Sequence, residues 1–326
     1  MPLRFSVLFL ALMLIYPQQS LAAAREAFAL WQQTVAPSLL PFFALIPALT
    51  CPEATACFSR LLKWPCRLLA IPEDFAGAVG IALAAGSPAG ARALMRIASR
   101  KPYPAGAVFR TAMLCAGVSP GFLISGVGAG MLNDPSAGMI LLLSQLLALT
   151  LTVRLLLVAK LPDIPLSLPD DNTAAEPSPV LYAANGVLSI LVWMTVFAVG
   201  TRIAGTLFPA AAPYLPFFAE FSTGCAPAAG LPLSREWTLP LLGAIIGFGG
   251  LCAGFQNLAV LKPLGMPAPM YFAAKIIHAS LCAVFARALC FLSLPTFSFT
   301  PQHALPVLAI VCLVPLLRRP EHSTKS

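Results

Sequence analysis

The stretch that most constrains this chain is SAGMILLLSQLLALTLTVRLLLV at residues 136–158, which carries a single charge, Arg154. About 20 mostly apolar residues are enough to cross the hydrocarbon core of a bilayer as a helix. Comparable runs recur at 3–22, 28–50, 75–91, 105–132, 180–208, 238–261, 268–294 and 304–317. A water-facing fold cannot bury that much apolar surface, and only 10% of the residues are charged where soluble domains carry roughly 25%. The expected fold class is an all-α polytopic membrane protein embedded in the lipid bilayer. A transmembrane barrel would show short alternating segments, and the sequence has none.

The net charge of +8 does not point to nucleic acid. The basic residues fall in short clusters between apolar runs, such as Arg92, Arg96, Arg100, Lys101 and Arg110, as the positive-inside bias produces. No interleaving of aromatic and basic residues of the kind that stacks bases is present. The nine cysteines are odd in number and sit mostly in or beside apolar segments, so they read as small hydrophobes without a disulfide framework or a zinc spacing. Walker A loops, His-Glu-x-x-His and nucleotide fingerprints are missing. Neither enzymatic activity nor a cofactor or metal is therefore expected.

The N-terminal MPLRFSVLFLALMLIYPQQSLAAA reads either as a signal-like segment or as a first transmembrane helix ended by Pro17, and the second reading is preferred. Segment 54–71 mixes Arg60, Lys63 and Arg67 with Phe58 and Trp64, which suits an amphipathic helix lying in the interface. KLPDIPLSLPDDNTAAEPSPV, at 160–180, is proline-rich and acidic and reads as an exposed polar linker. Leu40-Pro41-Phe42-Phe43-Ala44 recurs as Leu215-Pro216-Phe217-Phe218-Ala219. Each copy precedes a polar break and then a glycine-broken apolar segment, with Gly80 and Gly86 spaced like Gly243 and Gly249. This order points to an internal repeat. The expected organisation is a first helix or signal-like segment over 1–25, a first repeat over 26–159, and the linker over 160–180. A second repeat follows over 181–300, then a last transmembrane helix and basic tail over 301–326. Membrane orientation is left open.

Two stretches break their apolar runs with glycine: AAGSPAGAR at 84–92 and GFGGLCAGFQN at 247–257. A third run is broken at Ser119-Pro120-Gly121. Non-helical backbone at membrane depth survives only where protein buries it or where it lines a wet cavity. Transporters place half-helix starts there, aimed at anionic groups, although small residues also serve plain helix packing. Glu220, in PFFAEFSTG, is costly at membrane depth unless paired, protonated or coupled to an ion. An interfacial position is the alternative. Gln256 and Asn257 follow the second cluster as readers of a polar solute or as interhelical hydrogen-bonders. Lys275 and His278 share one face of the 268–294 segment.

The motifs PSLLPFFAL (37–45), GSPAGAR (86–92), AGVSPGFLISGVGAGML (116–132), EFSTG (220–224) and GFGGLCAGFQNLAVL (247–261), in this order, resemble the sporulation integral membrane protein YlbJ (stage V sporulation protein V) family. That family carries the gate, or nucleoside-recognition, domain. The resemblance implies two related halves with glycine-broken re-entrant hairpins, similar in architecture to concentrative nucleoside transporters. It also implies movement of a small polar or anionic solute, dipicolinate during sporulation being the family's role. By position, Gly86, Ser87, Pro88 and Gly90 match the family's first tip, and Ser119 and Pro120 the broken helix. Glu220, Thr223 and Gly224 match the acidic motif, and Gly249, Gly250 and Gln256 the second tip. Asn257 joins this candidate substrate-binding set. The chain departs from the family in having Ala85-Gly86-Ser87-Pro88 where Ser-Gly-aromatic-Pro is usual, and Leu45 and Ile46 where a polar residue is frequent, which leaves the solute open.

The function expected is therefore transport of a small solute, with H+ or Na+ as the candidate coupling cation. The location is a bacterial plasma membrane, with the forespore membrane as a special case. A non-transporting scaffold or sensor in spore or envelope assembly is the alternative. Homo-oligomerisation is left open.

Overall fold

A computed structural model of the chain describes residues 3–158 and 178–291, and within them the architecture is helical throughout. Most of the expected linker and the whole run at 304–317 lie outside the described residues. Helix α1 (Leu3–Ile15) ends at Tyr16, and Pro17 opens α2 (Pro17–Leu30) at the first helical position, where its missing N–H costs nothing. The chain turns by 106° at that point. A π turn (Trp31–Val35) leads from α2 into α3 (Ala36–Leu49). The domain boundary expected at residue 25 thus falls inside helix, because Pro17 and not the Ala22–Ala24 run sets the break.

A second turn of 100° separates α3 from α4 (Pro52–Leu68). Helix α4 is the amphipathic segment: Leu61 and Trp64 are exposed at 70% and 73%, while Thr55 and Cys66 are buried on the opposite face. Those proportions fit a helix lying along the interface with its rings in the headgroup layer. At the adjoining edge Asp74 accepts from Lys101 at 2.6 Å and from the Tyr103 hydroxyl at 2.8 Å. The Lys101 hydrogen bond, helped by Tyr103 and opposed by burial, holds this carboxyl below its ordinary range. Its contribution is therefore complete above the unfolded aspartate pKa and fades as the pH falls through the lower folded value. Thermal melts in detergent should show Asp74→Asn destabilised by about 1 kcal/mol or less at neutral pH, a gap that closes below pH ~4.

The remainder follows one order twice. In the first half, α5 (Ala76–Ala85) and α6 (Ala89–Ala98) form a hairpin. Then come α7 (Ala105–Leu114), an interruption, a π-helical segment (Phe122–Met131), and the long α8 (Pro135–Val158). In the second half, after the long α9 (Pro179–Leu207), α10 (Leu215–Ala219) and α11 (Phe221–Ala229) form a shorter hairpin. Helix α12 (Arg235–Phe248), a one-residue interruption, α13 (Gly250–Leu261) and the long α14 (Ala268–Leu289) complete it. The chain turns back at both hairpins: a Cβ on Gly90 would touch Ala82 Cβ at 2.5 Å, and one on Gly224 would touch Pro216 O at 2.7 Å. By contrast, α12 and α13 continue as a single span over Arg235–Leu264.

Among the described residues four helices are long and apolar enough to cross a membrane, or up to six if each bent pair counts as one span. The chain is an integral membrane protein. Inside it, α8, α12 and α14 pack together and α2–α3 pack along α9, the latter contact fixed by Trp31 Nε1 donating to Val187 O at 3.0 Å. Without a hydrophobic drive between helices in lipid, close packing and such hydrogen bonds hold the assembly. The α5–α6 hairpin packs against α3, α4, α7 and α13, and Ala89, Ala91, Ala93, Leu94 and Ile97 are all buried.

Candidate functional site

Four interruptions in the helices converge on one chamber of about 130 Å³. The hairpin tip between α5 and α6 contributes Ser87 and Pro88, and the break after α7 contributes Ser119. The tip between α10 and α11 contributes Glu220 and Ser222, and the α12–α13 break contributes Gly249 and Gln256. Leu30, Val35 and Leu39 from α2–α3, with Ile190 and Met194 from α9, close the apolar side. A larger cavity of about 580 Å³, lined by Thr201, Thr206, Thr223 and the Arg202–Glu26 pair, shares Leu30, Met194 and Glu220 with the chamber as a common wall.

The tips and breaks hold one another. Gly86 has φ +72 and carries no side chain, because a Cβ there would lie 2.6 Å from Ser119 N. Its neighbour Ser87 donates its backbone N–H to Gly117 O at 2.8 Å. In the second half Gly250, at φ +74, presses on the other tip, where a Cβ would lie 2.9 Å from Glu220 Cα. Each hairpin tip therefore seats on the interrupted helix of its own half. Ser87 Oγ then donates to Asn257 Oδ1 at 2.8 Å, and Asn257 Nδ2 donates to the Tyr271 hydroxyl at 2.9 Å. This chain of bonds ties the first tip to α13 and α14. The rings of Phe122 and Phe221 meet edge-on at 5.3 Å and join the first break to the second tip.

A break at membrane depth frees backbone groups that need partners, and the one after α7 has them. Val118 N donates to Gln145 Oε1 at 2.8 Å, and Gln145 Nε2 returns a bond to Val118 O at 2.9 Å. Gly117 O accepts from Ser87, Ala116 O accepts from Lys275 Nζ at 3.1 Å, and Phe122 N donates to Ser119 Oγ at 3.3 Å. Gln145 thus acts as a peptide surrogate. In Gln145→Leu both Val118 groups lose their partner, and the expected cost is about 2–4 kcal/mol, read as a lowered midpoint of thermal unfolding in detergent.

The helix starts set the electrostatics. Each helix N-terminus carries about half a positive charge. The one at α11 is neutralised: the Glu220 carboxylate accepts from Ser222 N at 3.0 Å, from Thr223 N at 2.8 Å, and from the Ser222 hydroxyl. Helices α6 and α13 have no side-chain cap, and the residues at their starts, Ser87, Pro88 and Gly249, line the chamber. The polar inventory of the chamber is thus two uncapped helix starts, the hydroxyls of Ser87, Ser119 and Ser222, the Gln256 amide, and one carboxylate engaged in capping.

Of the residues singled out from the sequence, Ser87, Pro88, Ser119, Glu220, Gly249 and Gln256 line the chamber, and Thr223 lines the larger cavity. Gly86 and Gly250 shape the contacts behind it, and Asn257 is buried between Ser87 and Tyr271. Gly90 and Gly224 serve the close approach of the hairpin helices, and Pro120 is the first residue of the helical turn after the break. The second glycine cluster does not form a turned-back tip, since the span continues through it. By order of elements, the counterpart of the Ser87–Pro88 tip is Glu220, and the counterpart of the 115–119 break is Gly249. Gln145 and Ser222 were not anticipated. A glutamine inside LLLSQLLAL is the signal that finds the first, because an amide in an uncharged run needs a partner.

No protein-family profile matches the chain, and no solved structure does. Among curated proteins it is similar to the sporulation integral membrane protein YlbJ of Bacillus subtilis (strain 168), at 23% identity over 330 residues. The match covers 87% of this chain and 81% of that protein.

Proposed function

We propose that this chain, an integral membrane relative of the sporulation protein YlbJ, transports a small carboxylate-bearing solute through the chamber between its interrupted helices. The observation that carries the reading is the convergence of the uncapped start of α6 and the α12–α13 break on one largely apolar chamber that holds a few polar groups. Such starts favour an anion, and the serine hydroxyls and Gln256 supply adjustable hydrogen bonds. A volume of about 130 Å³ is small beside the ~300 Å³ or more of drug-sized sites, which restricts the solute to a compact one. Dipicolinate, the solute that the family resemblance implies, is the first candidate, and the membrane proposed is the bacterial plasma membrane or that of the forespore.

The test is counterflow in proteoliposomes with radiolabelled dipicolinate, succinate and uridine. Saturable exchange of a carboxylate with uridine inert is the expected result. Absence of counterflow for every member would reject transport in favour of a scaffold or sensor. Glu220→Gln adds a check on the sign of the charge. Removing a negative charge from the wall should lower KM for a carboxylate by about threefold to tenfold. A rise in KM would contradict the placing of the carboxylate beside the Glu220 wall.

A further inference from the structure

Helix α14 places two titratable side chains where the two interrupted spans meet. Lys275 and His278 are 2% and 0% exposed. Lys275 Nζ donates to Ala116 O at 3.1 Å on one break, and a Cβ on Gly249 at the other break would lie 3.3 Å from the same nitrogen. His278 Nδ1 is 3.5 Å from Nζ, and His278 Nε2 is 3.3 Å from Cys282 Sγ. One amine therefore touches both interruptions that wall the chamber.

Among the described residues no carboxylate faces it. Of the elements packed against α14, α12 carries Arg235 and Glu236, engaged by Asp134 at 2.5 Å and Arg287 at 2.8 Å. Helix α8 carries Arg154, which donates to Leu68 O at 2.8 Å, and α7 carries Arg110, which donates to Ala70 O at 2.8 Å. The Glu220 carboxylate is spent on the start of α11. Among the described residues, the other titratable side chains on these elements are Cys282, against His278, and Tyr271 on α14 itself, and Cys115 at the end of α7. A lysine buried at membrane depth without a counter-charge is costly, and such residues mark ion and proton paths. A lysine–histidine pair also exchanges a proton without large movement. As an ammonium, Lys275 donates to Ala116 O and to His278 Nδ1. As an amine, it accepts from His278 Nδ1–H and loosens its hold on Ala116.

We propose that Lys275 and His278 form the proton-binding site that couples solute movement to a proton gradient. One proton is taken up from water on one side and released on the other per cycle, with no covalent step. Its presence pins the 115–119 break against α14, and its absence frees that wall of the chamber. This rests on the transport reading, and the experiment separates the two.

Wild-type protein is reconstituted in vesicles containing a pH-sensitive dye and exposed to whichever of dipicolinate, succinate or uridine gives the fastest counterflow. Solute-dependent proton movement is expected. Lys275→Gln should retain measurable counterflow but lose proton movement, so that a pH gradient no longer drives accumulation beyond a ratio of about one. His278→Gln gives the same reading if Lys275→Gln does not fold. Wild-type counterflow without protons, or proton movement that persists in these variants, overturns the assignment while leaving transport intact. Loss of counterflow together with proton movement in folded Lys275 variants also overturns it, since the lysine is then structural. No counterflow in wild type removes the transport reading itself.

Discussion

Gly250→Val is expected to yield no folded protein, whereas Gly121→Ala is expected to be neutral or stabilising. Gly250 has φ +74, and a Cβ there meets the backbone of Ala219, Glu220 and Phe221 between 2.9 and 3.1 Å. A left-handed conformation costs an L-residue about 1–2 kcal/mol. Here the opposing atoms are backbone, which cannot rotate away as a side chain can, so the total is about 3–5 kcal/mol. Gly121 has helical angles, φ −59 and ψ −44, and nothing lies within 4 Å of an added Cβ. Alanine there gains up to about 1 kcal/mol of helix propensity. Monodispersity on size exclusion and thermal unfolding in detergent distinguish the two. Equal behaviour of the variants would mean that the second tip does not seat on the α12–α13 break.

The second large effect is expected at Asn257. Asn257→Leu strands the Ser87 and Tyr271 hydroxyls, and Tyr271 is fully buried. Each buried group left without a partner costs about 1–3 kcal/mol, so the loss should reach about 2–4 kcal/mol. It should also raise KM, because Ser87 then no longer has a fixed direction at the start of α6. Ser87→Ala alone removes the donor without stranding Tyr271 and should cost about 1 kcal/mol. In a double-mutant cycle, thermal stability should reveal a coupling of about 1 kcal/mol between the two positions. A coupling of zero would place them in independent networks.

How much of this was legible in the sequence varies with the kind of signal. Spans declare themselves by length and apolarity, so 136–158, 180–208 and 268–294 reappear as α8, α9 and α14 within a few residues. The break near Ser119 was legible because Ser-Pro-Gly cannot sit quietly inside a helix. What a break does next was not, because turning back or continuing depends on contacts elsewhere. Gly86 and Gly249 look alike as sequence, yet the first lies in a hairpin and the second in a continuing span. The LPFFA repeat shows the same limit, since its first copy lies inside α3 and its second forms α10. Glu220 was recognised as needing a partner, and the partner proved to be the start of its own next helix. That possibility is written in Glu-Phe-Ser-Thr, with an acid directly before a helical turn. The sequence puts Lys275 on one face with His278, but its contact with Ala116 spans 159 positions of sequence and no local pattern encodes it.

The central claim, that the chamber holds the transported carboxylate, is tested most directly by protecting a single thiol. Ser119→Cys, in a background with the native cysteines replaced, is exposed to a membrane-impermeant thiol reagent with increasing concentrations of the transported solute. Modification should slow in proportion to occupancy, with half-protection near the KM for transport, and uridine should have no effect. A modification rate indifferent to a solute that the same protein carries would contradict the account and place the binding site elsewhere.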